Sequence, residues 1–559
     1  MTVKIHDLIN NLKDKALHKM IKVLVASILL LLIIAFSLSL LNGYIASLDF
    51  IIQLINEQKY SEKIYKIVTV NKFHYLQLFL LLVVFLLSIL LYFFNLVYSY
   101  IKEYARDLFL SIKRIIYYAI HSELKYVLII PILASIYFAI NLPVFYDEAW
   151  TYINFTSKGI LVSLSYYPAP NNHMLNSVIS NFTKHIFILS PLLRLRLSSI
   201  IATVLVWIVA FYFLLKYYNK NTALLVVALA SMMSINIDSS YMARGYAMLN
   251  LFFITTLLAS FNIIKENSQN KQWIWFAISS ILGFFTIPSF LYPFLTLNLL
   301  IFIFNPKGIL KQFISNIFIL IGIAILYLPL IIVNGLEALI NNQYISEVSR
   351  TEVINKLPTF FYGLLSETTG IPWFYVLPIT ILSLIIIILQ RKKEPLLLFI
   401  LFISCPFILL LLHSRIAPSR VFIYYGFIIM FLIALPLSNR LPNYKTQYLV
   451  FLLIIFQSAM LIKYYIVKQE NEKYDRLCKN AIDQIAGNKN YFVDHAQFDT
   501  PLIFELKTRH YDNAQIKYLK RINMSADTLT NYDYIIIDKR YDKSRTKVPI
   551  FQNMYFNIY

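Results

Sequence analysis

The sequence predicts an all-α polytopic membrane protein of about thirteen spanning helices, followed by a small C-terminal α/β domain outside the membrane. Three observations predict it. The chain is 59% hydrophobic with a mean hydropathy of +0.64, more apolar surface than a soluble chain of 559 residues can use. Apolar runs long enough to cross a bilayer recur along most of it. Beyond Lys468 the charges balance and the apolar runs shorten to strand length.

Composition also excludes classes. Only 11 glycines and 16% aromatics argue against both a glycine-rich channel and a disordered chain. The net charge of +21 fits Lys and Arg in cytoplasmic loops beside anionic headgroups, so nucleic acid is not an expected partner and membrane lipids are. The two cysteines, Cys405 and Cys478, make neither a disulfide framework nor a cysteine metal site.

In chain order, residues 1–22 are polar and mixed in charge, and no small-residue cleavage site follows the next apolar run. That run therefore reads as a retained span, not a signal peptide. Spans are expected at 23–42, 76–98, 125–143, 197–216, 222–237, 246–264, 273–288, 289–305, 313–333, 373–390, 396–413, 421–438 and 447–466. Only the Pro288 and Pro293 region separates the seventh from the eighth. The organisation expected is an N-terminal extension over 1–124 with two spans and a basic amphipathic segment (Lys102 to Arg114), a body over 125–467, and a tail over 468–559. No internal repeat is visible, which weighs against many transporter folds.

The cations orient the chain. With the N-terminus inside, the loops at Lys216/Lys220, Lys265/Lys271, Lys307/Lys311, Arg391-Lys392-Lys393 and Arg440/Lys445 are cytoplasmic, as the positive-inside bias requires. Segments 144–196, 238–246, 334–372 and 413–420 then lie outside, and so does the tail. In the tail, 491–493 and 534–537 read as buried strands, with helices near 474–486 and 499–508. No glycine-rich phosphate loop marks it as nucleotide-binding.

The outer segments hold the residues that can carry chemistry. Asp147 and Glu148 follow the third span directly, in a chain with only 29 acidic residues. Helical neighbours point about 100° apart, so one is expected to face a cavity and the other to serve structure. A carboxylate at a dry boundary can accept a proton; helix N-capping is the structural alternative for the Asp. Asn172 and His173 stand at the start of a helix after Tyr166-Tyr167-Pro168-Ala169-Pro170. The His suits an anionic oxygen, no partner at helical spacing makes it a metal ligand, and N-capping is an equal reading for the Asn. Arg244, with Tyr246 beside it, is costly at a membrane edge unless it is paired, serves an anion or reaches headgroups. Arg415 and Arg420 flank one outer turn, His413 to Arg420, against the positive-inside trend. Thr286 and Ser289 around Pro288 read as helix-bend residues. No metal site and no cofactor is required by these residues.

The ordered set is a span followed by Asp-Glu-Ala, an Asn-His helix start, Arg-Leu-Ser-Ser over 196–199 and Ala-Arg-Gly-Tyr over 243–246. It resembles the GT-C class of membrane glycosyltransferases, in particular the family 39 branch of protein O-mannosyltransferases and lipid A aminoarabinose transferases, over roughly 125–440. The resemblance implies a polyprenyl-phosphate-linked sugar as donor and inverting transfer to a glycan, lipid or protein outside the cytoplasmic membrane. It maps the family's loop Asp onto Asp147, and its anion-binding cations onto Arg244 and onto Arg415 or Arg420. The aminoarabinose branch has a Glu-Lys pair before a proline where this chain has Asn172-His173. The two extra N-terminal spans are a second departure. A lipid-linked glycan transporter or flippase, and a glycan polymerase or ligase, are the alternatives. The first needs polar residues deep inside several spans, and these runs are mostly clean.

Overall fold

The structure is a computed structural model and describes residues 2–54, 68–168, 171–266, 270–340, 348–470, 479–519, 529–544, 547–552 and 556–559. The chain forms two compact units, one of residues 1–114 with 328–337, the other of 115–327 with 338–559.

In the first unit α1 (Thr2–Leu54) packs along α2 (Val70–Tyr92). Tyr44 donates its hydroxyl to Val68 O at 2.6 Å, and Lys72 Nζ donates to Val333 O at 2.9 Å. The basic amphipathic segment lies within α3 (Phe94–His121). The run expected at 76–98 is therefore divided at Phe93 between two helices.

The second unit begins with α4 (Leu124–Asn141) and continues through the short helices α5 (Tyr146–Asn154), α6 (Ile160–Ser165) and α7 (Met174–Thr183). The long α8 (Pro191–Tyr217) follows, then α9 (Lys220–Ser231), α10 (Ser234–Tyr241), α11 (Tyr246–Lys265), α12 (Asn270–Thr286), α13 (Leu291–Phe304) and α14 (Ile309–Asn334). Further on come α15 (Arg350–Thr369), α16 (Trp373–Leu389), α17 (Lys393–His413), α18 (Tyr424–Ser438) and α19 (Asn443–Glu470). The main core joins α8, α9, α11, α13, α17 and α18, with Trp207, Phe213, Phe253, Phe290, Phe402 and Tyr424 among its fully buried side chains.

Each expected apolar run falls on helix, but the number of spans differs from thirteen. Among the described residues eight helices are long and apolar enough to cross a membrane, or ten if each of two bent pairs is one span. The difference has local causes. The expected 222–237 span is α9 and α10, bent by 69°. There Asn236 Nδ2 donates to Ala230 O at 2.8 Å, taking the carbonyl that a continuous helix would use. α15 and α16 meet at 90° around Gly370, whose φ of 69° is the left-handed conformation that closes a helix. α15 itself was not expected within 334–372. α18 has 15 residues, about 22 Å of helix against a hydrocarbon core of about 30 Å, and it is tolerated because protein surrounds it.

The tail forms a five-stranded sheet of β1 (Asn490–Val493), β2 (Gln515–Tyr518), β3 (Tyr534–Asp538), β4 (Phe551–Gln552) and β5 (Phe556–Ile558), in the order β2-β1-β3-β5-β4. β1 is parallel to β2 and β3; β5 is antiparallel to β3 and β4. α20 (Lys479–Ile485) and α21 (Ala496–Thr508) cover it. The 474–478 part of the expected helix, Cys478, and Ala169-Pro170 lie outside the described residues. β2 and the β4–β5 pair are additions: β2 is a largely exposed edge whose Gln-Ile-Lys-Tyr carries too little apolar character to stand out.

Candidate active site

Asp147 does not end the third span. α4 stops at Asn141, an extended stretch turns the chain, and Asp147 and Glu148 occupy the first turn of α5. A helix N-terminus favours acidic side chains, which is the local reason both sit there.

Glu148 is 1% exposed and fully engaged. Arg196 Nε donates to its Oε1 at 3.0 Å and Nη2 to its Oε2 at 2.7 Å. The Ala243 and Phe145 amides donate to it at 2.6 and 2.9 Å. Burial pushes its pKa up, but the Arg196 charge and these hydrogen bonds outweigh burial and hold it below the usual carboxylate range. Arg196, also fully buried, donates through Nη1 to Ala139 O and Leu142 O at 3.0 and 2.8 Å, and through Nη2 to Pro143 O at 3.0 Å. One guanidinium thus closes the end of α4 and anchors α5. Glu148, a catalytic candidate beside Asp147 from the sequence alone, is thus the one engaged in structure, since both its oxygens are already taken.

Asp147 points the other way. Its carboxylate is part-exposed, and Arg244 Nη2 and Arg420 Nη1 stand 3.8 and 3.9 Å from Oδ2, too far for hydrogen bonds. Arg244 is nearly fully buried. Its Nη1 donates to Thr151 Oγ1 at 3.1 Å and Asn171 O at 3.0 Å, while its Nε has no partner among the described residues. The turn bearing it is fixed by Ser199, whose hydroxyl bonds Met242 O and Arg244 O at 2.6 and 3.1 Å, and by Asn176 Nδ2, which donates to Ala243 O at 3.1 Å.

His173 completes the face. The Gly245 amide donates to its Nδ1 at 2.6 Å. A backbone N–H can only donate, so the proton of the neutral ring is on Nε2. That Nε2 lies 3.3 Å from Arg244 Nη2, itself a donor. Two donors side by side call for a common acceptor. Burial, then the charges of Arg244 and Arg420, lower the His173 pKa well below its ordinary value, so the ring stays neutral. The contact needs glycine at 245: a Cβ there would lie 2.8 Å from Thr286 Cγ2 and 3.0 Å from His173 Cβ. Tyr246 meets the His173 ring edge to face at 4.9 Å, and the Arg420 guanidinium lies 5.8 Å from the centre of the Tyr246 ring. Tyr167 is buried beside them; burial, against the Arg244 charge, pushes its phenol up to about 12.

The face therefore gathers Asp147, His173, Arg244, Tyr246 and Arg420. Asn172 stands behind it. Its amide donates to Ser163 O at 2.8 Å and Tyr166 O at 3.2 Å and accepts from Ser177 Oγ at 2.8 Å, so it ties the loop to α7 and does not cap the helix. Arg415 belongs to the start of the same 413–420 stretch as Arg420, where its amide donates to Leu410 O at 3.4 Å. Arg196 was not among the expected site residues, although an Arg opening a spanning helix is a signal in itself. Beneath α15, which also packs against the Ser419–Phe422 turn bearing Arg420, an apolar cavity of about 430 Å³ is lined by Phe361, Tyr362, Leu377, Phe399, Phe407 and Tyr425.

No protein-family model and no curated protein matches the chain. Among solved structures it is similar to the apo crystal structure of ArnT from Cupriavidus metallidurans, at 12% identity and a TM-score of 0.45 over 69% of this chain and 75% of that one. It is also similar to the structure of the same protein bound to undecaprenyl phosphate, at 10% identity and a TM-score of 0.49 over 78% and 97%. What the site does has to be argued from its residues.

Proposed function

We propose that this chain is an integral-membrane glycosyltransferase that moves a sugar from a polyprenyl-phosphate donor to a glycan, lipid or protein acceptor, with inversion. In this reading the N-terminus is cytoplasmic, and the Asp147 face and the tail lie outside the cytoplasmic membrane. The observation that carries it is the pairing of a part-exposed carboxylate with donors left over for an anion: Arg244, Arg420 and the Nε2–H of a neutral His173.

The chemistry divides accordingly. The acceptor hydroxyl attacks the anomeric carbon and gives its proton to Asp147. The bond from that carbon to the phosphate oxygen breaks, and its electron pair leaves with the polyprenyl phosphate. The charge gathered on that oxygen is met by Arg244, Arg420 and His173, donors already in place before reaction. A phosphate is a good leaving group, so no general acid is needed. The apolar cavity under α15 suits the first isoprene units, while the remaining chain runs in lipid.

The test is transfer by purified protein from a set of polyprenyl-monophosphate sugars, read as release of polyprenyl phosphate. Wild type should turn over at least one donor, and Asp147→Asn should turn it over far more slowly. Turnover only from pyrophosphate-linked glycans, or an undiminished Asp147→Asn, would overturn the reading.

A further inference from the structure

The tail packs onto the site helix. Along α21 the residues Phe498, Leu502 and Leu506 repeat every four positions and fill the core between the helix and its own sheet. Phe504 is two residues from both Leu502 and Leu506, so it leaves on the opposite face. A Phe there has no use in the tail's own core. It is nevertheless 1% exposed, because it lies among Val144, Ala149, Leu195 and Ala243 and meets the Tyr152 ring edge to face at 5.1 Å.

Those neighbours are distinctive. Ala149 follows Glu148, Leu195 precedes Arg196, and Ala243 precedes Arg244. On α5, Ala149, Tyr152 and Ile153 form one apolar stripe. Asp147 is two residues from Ala149, about 200° round the helix. Phe504 thus bears on the back of α5 while Asp147 stands on its front, 3.8 and 3.9 Å from the two arginines. α5 has only nine residues, too few to hold a helix without packing.

We infer that Phe504 is a positioning residue for the transfer reaction: the C-terminal domain presses α5 into place through it and so sets where the Asp147 carboxylate sits. The kinetic half of this inference rests on the proposed reaction; the contact itself does not. Removing the ring should fall mainly on α5: Ala243, in the same cluster, lies in a turn that Ser199 and Asn176 also hold, and α7 and Arg420 build the rest of the donor site. It should slow the chemical step, because a displacement of about 1 Å costs on the order of a hundredfold.

The experiment uses the full-length protein in detergent or nanodiscs. Phe504→Ala and Tyr152→Ala should each lower kcat roughly tenfold to a hundredfold with little change in donor KM. Both should speed amide exchange in 146–154, measured by mass spectrometry. Phe504→Leu should recover most of kcat, and Lys517→Ala on the exposed edge of β2 should match wild type in both measurements. Wild-type kcat in Phe504→Ala, or unchanged exchange in α5, overturns the inference. Should Phe504→Ala fail to fold, the same readings on Tyr152→Ala decide it. A wild-type protein that transfers no sugar removes the reaction and the kinetic half with it, while exchange in α5 still reports separately whether Phe504 holds the helix.

Discussion

Asp147 and Glu148 are adjacent residues in one helical turn, yet they belong to two regions built on opposite rules. On the inner side, the knot of Glu148 and Arg196 leaves nothing over: the carboxylate has two guanidinium and two amide donors, and the guanidinium also closes four carbonyls. On the outer side, the carboxylate of Asp147 stands off from two arginines, and a histidine N–H faces another donor. Satisfied charge fixes geometry; convergent unsatisfied charge is available to a substrate. The inner knot holds the outer face still, since Arg196 and Ser199 leave one helix and fix the turns that carry Asp147 and Arg244.

Substitutions should separate the two regions. The largest effect is expected at Asp147→Asn: turnover lower by ~10²–10⁴, as general-base loss gives, with the thermal midpoint unchanged. Glu148→Gln should do the reverse. It leaves Arg196 charged and buried, so it should cost about 3–5 kcal/mol of stability, seen as a lower midpoint, with a fall in turnover per folded molecule smaller than that of Asp147→Asn as α5 loosens. Normal stability in Glu148→Gln together with a larger kinetic defect than Asp147→Asn would erase the division.

A smaller effect falls on the cations. In the proposed reaction Arg244→Ala removes a charge-assisted contact to the donor phosphate, and it should weaken donor binding or leaving-group departure by about 1.5–3 kcal/mol. Arg420 is more exposed, so Arg420→Ala should cost less, and Arg415→Ala less again. Donor KM and kcat for the three variants give the order. An equal loss at Arg415 would place the phosphate nearer the start of the 413–420 turn.

Hydropathy revealed the helical body because each apolar run is a local property of the sequence, and charge placement pointed to Asp147, Arg244 and the turn of Arg415 and Arg420 for the same reason. The roles were harder to read. Glu148 and Arg196 are 48 residues apart and meet only in the fold. α15 carried a legible signal, with Ser349 accepting from the Glu352 amide and Gly370 closing the helix, but its sequence is too polar to stand out as a span. Breaks such as Met232–Met233 depend on one side chain capturing one carbonyl. Phe504 looks like any other core residue of an α/β domain until the sheet shows which face of α21 is spare.

The mildest test concerns the protonation of His173. Folded, the ring is held neutral by burial and then by Arg244 and Arg420. Unfolded, it titrates near the ordinary value of about 6.5. Its folded pKa is the lower of the two, so below pH 6.5 the unfolded chain binds a proton that the folded chain refuses. Stability is therefore fully present above about pH 6.5 and is lost as pH falls below it, by up to about 1.4 kcal/mol per pH unit for this one group. His173→Gln keeps an N–H donor without a titrating ring. Thermal midpoints at about pH 7.5, 6.5 and 5.5 should fall more steeply for wild type than for His173→Gln, and the two should run parallel above about pH 7. Parallel curves over the whole range would mean that the folded ring takes up a proton as easily as the unfolded one. The Nε2–H facing Arg244 would remain a donor, but on a ring that becomes a cation below about pH 6.5, and the outer face would then hold a third cation in place of the neutral donor that distinguishes it from the inner knot.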